Sequence, residues 1–118
     1  MTVRRVVPNK HTDSPESMTQ HRDFYSQLGF EEVMNMGWVT TLASPSNPTA
    51  QLSFFTEERT GPVVPDLSIE VEDVDAVYAT VQASGAEIVR ELRDEEWGVR
   101  RFFVRDPGGW VVNVLQHK

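Results

Sequence analysis

Residues 73–85 read DVDAVYATVQASG, and residues 14–29 read SPESMTQHRDFYSQLG. Each stretch is a helix with its punctuation. Asp73 and Ser14 are N-cap types, whose side-chain oxygens accept from the free backbone N–H groups of a first turn. Pro15 suits the first helical position, where its missing N–H costs nothing. Val74, Val77, Tyr78 and Val81 recur at the spacing of one buried helix face, as do Met18, His21, Phe24, Tyr25 and Leu28. Gly85 and Gly29 supply the stops. The two glycines lie 56 residues apart (85 − 29), nearly half of a 118-residue chain.

The flanks repeat as well. A β-rich stretch precedes each helix, as Arg4-Arg5-Val6-Val7 and as Asp66 to Val71. A short strand follows each, over 29–33 and over 85–89. Gly37-Trp38 in one half answers Trp97-Gly98 in the other. Then come apolar strands over 39–43 and 99–104, turns over 44–48 and 106–109, and closing strands over 51–55 and 111–115. The order is βαβββ, twice. It predicts an α+β domain in which two βαβββ modules form one concave mixed β-sheet. The first module is 1–56, the second is 66–118, and 57–65, with Gly61, Pro62 and Pro65, is the linker.

Composition narrows the function. The chain has no cysteine, which excludes disulfides, zinc–thiolate centres and cysteine nucleophiles. The reading is a cytoplasmic protein. Eighteen acidic against 11 basic residues give a net charge of −7, which repels phosphate backbones and argues against nucleic-acid partners. No apolar run approaches the roughly 20 residues of a membrane span. There is no phosphate-cradling glycine loop and no supported Ser/His/Asp arrangement. The three histidines, His11, His21 and His117, read as surface or helix-face residues. Asp94-Glu95-Glu96 reads as a solvated loop, with Arg100 and Arg101 as its partners.

Several segments together resemble the vicinal oxygen chelate superfamily of glyoxalase-like lyases, extradiol dioxygenases and bleomycin-binding proteins. They are Phe24-Tyr25-Ser26-Gln27-Leu28-Gly29-Phe30, Asp66 through Ala76, and Trp97 through Pro107. The resemblance implies the concave fold, a homodimer, and in the enzymes a divalent metal held by histidine and carboxylate. It places the first-strand ligand seven residues before the acid that ends the strand, which is Val6 counted from Asp13 and Asp66 counted from Asp73. It places the last-strand ligands at Gln51 and Asn113. Valine cannot ligate and amides are weak ligands, so only Asp66 suits a hard cation. No metal or other cofactor is expected on that count. A divalent metal enters only if the register is displaced, with His117 as a further donor.

Strand alternation sorts the concave face. Asp66, Ser68 and Glu70 share a side. So do Gln51, Ser53 and Phe55; Val111, Asn113 and Leu115; Arg101 and Phe103. The expected ligand-binding cleft is Trp38, Gln51, Ser53, Phe55, Asp66, Glu70, Arg101, Phe103 and Asn113. Tryptophan beside carboxylates suits a cationic or aromatic small molecule. Trp38 and Trp97 read equally well as core. Three functions follow: a metal-independent, bleomycin-resistance-like binding protein, a metal-dependent lyase or dioxygenase, or a ligand-free dimer whose own side chains fill its cleft.

Overall fold

A computed structural model describes residues 1–118. Its elements are β1 (Val3–His11), α1 (Pro15–Ser26), β2 (Glu31–Asn35), β3 (Val39–Ser44) and β4 (Asn47–Phe55). They repeat as β5 (Leu67–Val71), α2 (Val74–Ala83), β6 (Ile88–Asp94), β7 (Val99–Arg105) and β8 (Val111–His117). All eight strands join one mixed sheet in the order β2-β3-β4-β1-β5-β8-β7-β6. In each module the first strand lies parallel to the last, β1 beside β4 and β5 beside β8. The modules meet where β1 pairs antiparallel with β5. The class is α+β, with two βαβββ modules.

The helices form for the reasons legible in the sequence. Ser14 Oγ accepts from Ser17 N–H at 3.1 Å, and Asp73 Oδ1 accepts from Ala76 N–H at 3.1 Å. Gln116 Oε1 accepts from Val74 N–H, tying the start of α2 to β8. Val74 joins Val71, Phe102, Val104, Val112 and Val114 in the main core, with Val77, Tyr78 and Val81 packed against it. Phe102 and Val74 are fully buried, each worth about 1.5–3 kcal/mol against exposure.

The first helix is covered more thinly. Met18 packs with Leu42 and Phe54, supported by Tyr25. The expected apolar stripe breaks at Phe24 and Leu28, which are 56% and 64% exposed. Gln27 already caps the helix, so Leu28 lies beyond its last turn. Phe24 turns to solvent and meets Tyr25 only edge-on. Other boundaries shift too. The strand expected over 51–55 starts at Asn47, because the turn is a tight one with Ser44 opposite Asn47. Pro48 is tolerated there, before β4 begins pairing with β1 at Ala50. The strand expected over 85–89 runs on to Asp94 as an irregular edge, with register shifts on both sides of Arg90.

Candidate functional site

Both helices pack on one face of the sheet. The other face carries a cleft of about 450 Å³. Alternation decides which residues enter it. β1 contributes Arg5, Val7 and Asn9, and β4 contributes Gln51, Ser53 and Phe55. Val39 and Thr41 come from β3, Ser68 from β5, and Asn113, Leu115 and His117 from β8. Trp38 and Trp97 stand together at one wall, their rings 5.9 Å apart, with Phe55 5.8 Å from Trp38. Both tryptophans are aimed by neighbouring glycines, Gly37 and Gly98, each at φ +86°. That conformation is nearly free for glycine and strained for other residues. Val33, Met34 and Met36 complete an apolar rim.

The floor is polar. Asn9 lies opposite Ser53, and Ser68 lies opposite Asn113. These pairs are equivalent in the two modules. Asn9 stands five residues before the cap Ser14, and Ser68 stands five before the cap Asp73. Ser68 Oγ accepts from Asn9 Nδ2 at 2.8 Å and from Asn113 Nδ2 at 3.1 Å. Ser53 and Thr41 share a hydroxyl hydrogen bond of 2.7 Å. The residues gathered here do not fit a divalent metal. Two amides and two hydroxyls offer no anionic donor, and most of their polar atoms are engaged with one another. Asn113 Oδ1 alone is buried without a partner, and one neutral acceptor is too little for a divalent cation. No three His, Asp or Glu side chains gather as a ligand group anywhere in the chain.

Two of the metal positions inferred from the resemblance need correction. Val6 points to the helix side and is 46% exposed, while its neighbour Val7 faces the cleft. The helix cap is Ser14 rather than Asp13, so a count from Asp13 falls one residue short and reverses the face. Asp66 precedes β5 and lines no part of the cleft. Its carboxylate accepts the Val111 N–H at 2.8 Å, joining the linker's end to β8. Gln51 and Asn113 do reach the cleft.

Beside the floor a chain of polar contacts crosses four strands. Gln51 Oε1 accepts from Arg5 Nη1 at 2.7 Å. Arg5 Nε lies 2.9 Å from Glu70 Oε1, a contact of charge rather than an aligned hydrogen bond. Glu70 Oε2 lies 3.1 Å from His117 Nδ1. Glu70, expected to line the cleft, does not line it and is instead shared between a guanidinium and an imidazole.

Arg101 borders the cleft, as expected, and beyond it the concave face is closed. The linker crosses Phe103 so tightly that a Cβ on Gly61 would fall 2.8 Å from the ring. Phe103, expected as a wall, is fully buried beneath it. Arg101 Nη2 donates to Glu58 Oε1 at 2.8 Å and to Thr60 Oγ1 at 2.7 Å, and Nε donates to Glu95 at 3.2 Å. Arg90 meets the same Glu95 oxygen. The guanidinium of Arg101 stacks on Trp97 and Phe103, 5.1 and 4.8 Å from the ring centres. Glu95 is therefore no solvated loop residue; its side chain is only 3% exposed. Burial pushes its carboxyl up, but the ion pair with Arg90 and the hydrogen bond from Arg101 prevail and hold it below the ordinary carboxylate range. Arg100 does pair with Asp94, and also with Asp75, at the surface.

Sequence reasoning missed Arg5, Asn9 and His117 as cleft residues. Arg5 and Asn9 were findable, because they alternate with Val7 along β1. His117 follows from carrying the Asn113–Leu115 alternation one step further.

The family model described as "Glyoxalase/Bleomycin resistance protein/Dioxygenase superfamily" matches residues 15–114. No curated protein sequence matches the chain. Among solved structures, a glyoxalase/bleomycin resistance protein/dioxygenase superfamily member from Vibrio splendidus 12B01 is similar at 20% identity and TM-score 0.69. The match covers 98% of this chain and 99% of that one. Methylmalonyl-CoA epimerase from Mycobacterium tuberculosis is similar at 20% identity and TM-score 0.63, over 98% of this chain and 87% of that one. The Mn(II)-bound glyoxalase from Novosphingobium aromaticivorans is similar at 17% identity and TM-score 0.63, but only 38% of its chain is covered. At these identities the structural likeness speaks to fold, whereas the family match spans most of the sequence. The chain belongs to the glyoxalase/bleomycin resistance protein/dioxygenase superfamily.

Proposed function

We propose that the chain binds a small, flat, largely apolar molecule in the open half of its cleft, without a resident metal. The observation that carries this reading is the pairing of aromatic and thioether walls with a floor whose polar atoms mostly satisfy one another. Such a cleft gains by excluding water from Met34 and Met36 against the nearly buried Trp38 and Phe55, and offers a few fixed polar groups for orientation. An aromatic ligand fits better than a cationic one. Glu70 is neutralised by Arg5, and Asp66 is spent on a backbone N–H. A homodimer belongs to the same reading, because Val33, Met34 and Met36 leave an apolar rim that a second copy would cover. A reducing compartment such as the cytoplasm accords with the absence of cysteine.

The test is a titration of tryptophan fluorescence with 2-naphthol and with a quaternary ammonium naphthalene, both in the presence of a chelator. Saturable quenching by the neutral probe, with weaker binding of the cation, is expected. Binding that requires added divalent metal, or no saturable binding of either probe, would contradict the reading.

A further inference from the structure

We infer that His117 is a proton-accepting catalytic residue of the cleft, held in place by Glu70 and Arg5. The inference rests on the cleft reading above and goes beyond it, from holding a molecule to removing a proton from it. A carboxylate oxygen only accepts, so the 3.1 Å contact with Glu70 Oε2 places a proton on His117 Nδ1. In the neutral ring the lone pair is then on Nε2, which has no protein partner, and His117 lines the cleft. This is a base oriented by a third group, the arrangement that proton transfer requires.

The support behind the histidine is built in layers. Glu70 is mostly buried, its side chain 17% exposed, and its second oxygen is held by Arg5 at 2.9 Å. Arg5 is fixed in turn by Gln51. His117 pairs with Val99 across the sheet, and the next residue donates its backbone N–H to Gly98. The imidazole is thus restrained by its backbone and by its Nδ1. An ion pair with Arg5 alone would satisfy Glu70; the histidine needs no such placement for the fold, since its side chain is 53% exposed. The substrate class is a flat, apolar small molecule that presents an acidic C–H or O–H to that wall of the cleft. In the step, Nε2 takes the proton and the bonding pair moves into the substrate's own electron-accepting group. No oxidant or metal is needed.

A probe that isolates this step is 5-nitrobenzisoxazole. Nε2 takes the C3 proton, the C–H pair becomes part of the nitrile, and the N–O bond breaks to release a coloured phenolate. Turnover and direct binding of the probe, the latter followed by NMR shifts, are measured on the same protein. Saturable turnover is expected, falling about a hundredfold or more in His117→Ala. Added imidazole restores saturable turnover in that variant above imidazole's own catalysis in buffer, which loss of structure would not allow. Glu70→Gln, acting through the histidine, lowers kcat with little change in KM. If His117→Ala binds the probe and turns it over as the unaltered protein does, the inference is overturned and the cleft reading stands. If the unaltered protein does not bind the probe saturably, the cleft reading falls first.

Discussion

The two halves of the concave face are built from equivalent strands and have been put to opposite uses. Over β2 and β3, Val33, Met34, Val39 and Thr41 face an open cleft. Over the equivalent β6 and β7, Val99 and Arg101 border that cleft, but beyond them Arg90 and Phe103 are closed off by Glu58, Thr60 and Gly61 of the linker and by Glu95, which together pin Arg101. A repeated module therefore need not give a repeated site. One half keeps its surface for a ligand, and the other buries charge against charge to fix the linker across the sheet. The linker has only one place to lie, so the symmetry of the modules must break.

Removing Arg101 should have the largest effect. Its guanidinium is 4% exposed and neutralises Glu58 and Glu95, which are 1% and 3% exposed. Arg101→Ala leaves two buried carboxylates short of a partner, and about 3–5 kcal/mol of stability should be lost in urea denaturation. Gly61→Ala comes next. The new methyl would meet the buried Phe103 ring at 2.8 Å, and overpacking of this kind costs about 1–3 kcal/mol. Unchanged stability in either variant would mean that the closed half is not structural.

Acid should act on the same half. Glu95 has its folded-state pKa lowered from 4.5, so it binds protons less readily when folded. Its contribution is therefore present above about pH 4.5 and is lost as pH falls through the lowered value. Urea midpoints measured down the acid range should decline less steeply for Glu95→Gln than for the unaltered chain. The smallest stability effect belongs to the open half. Met36 is 40% exposed, and Met36→Ala should change stability by no more than about 0.5 kcal/mol. It should nonetheless weaken binding of a neutral aromatic probe severalfold. Equal losses of stability and affinity in Met36→Ala and Arg101→Ala would erase the distinction between the halves.

The fold was legible because each module carries its own local signals. The caps Ser14 and Asp73, the stopping glycines and the period of Val74, Val77, Tyr78 and Val81 act within a few residues. Alternation likewise put Gln51, Ser53, Phe55 and Asn113 on one face. What failed was what depends on distant parts of the chain. Val6 was misplaced because a one-residue error in counting reverses a strand's face. Arg101 was legible as a partner of the acidic run, but Glu95 still looked solvated because Arg90, which completes its burial, lies on a strand whose pairing is irregular. Phe103 looked like a wall because nothing local says that Gly61, 42 residues earlier (103 − 61), lies across it. The charge of Glu70 and Asp66 was legible, but not that Arg5 and the Val111 N–H consume it.

The central claim is that one half of the concave face receives a ligand while the other is structure. It is tested most directly by mapping amide and tryptophan shifts in a two-dimensional NMR titration with 2-naphthol. The account predicts saturating shifts at Met36, Trp38, Thr41, Ser53 and Phe55, with Glu58 to Gly61 and Phe103 undisturbed. Shifts centred on the linker and Phe103, or spread evenly over both halves, would contradict it.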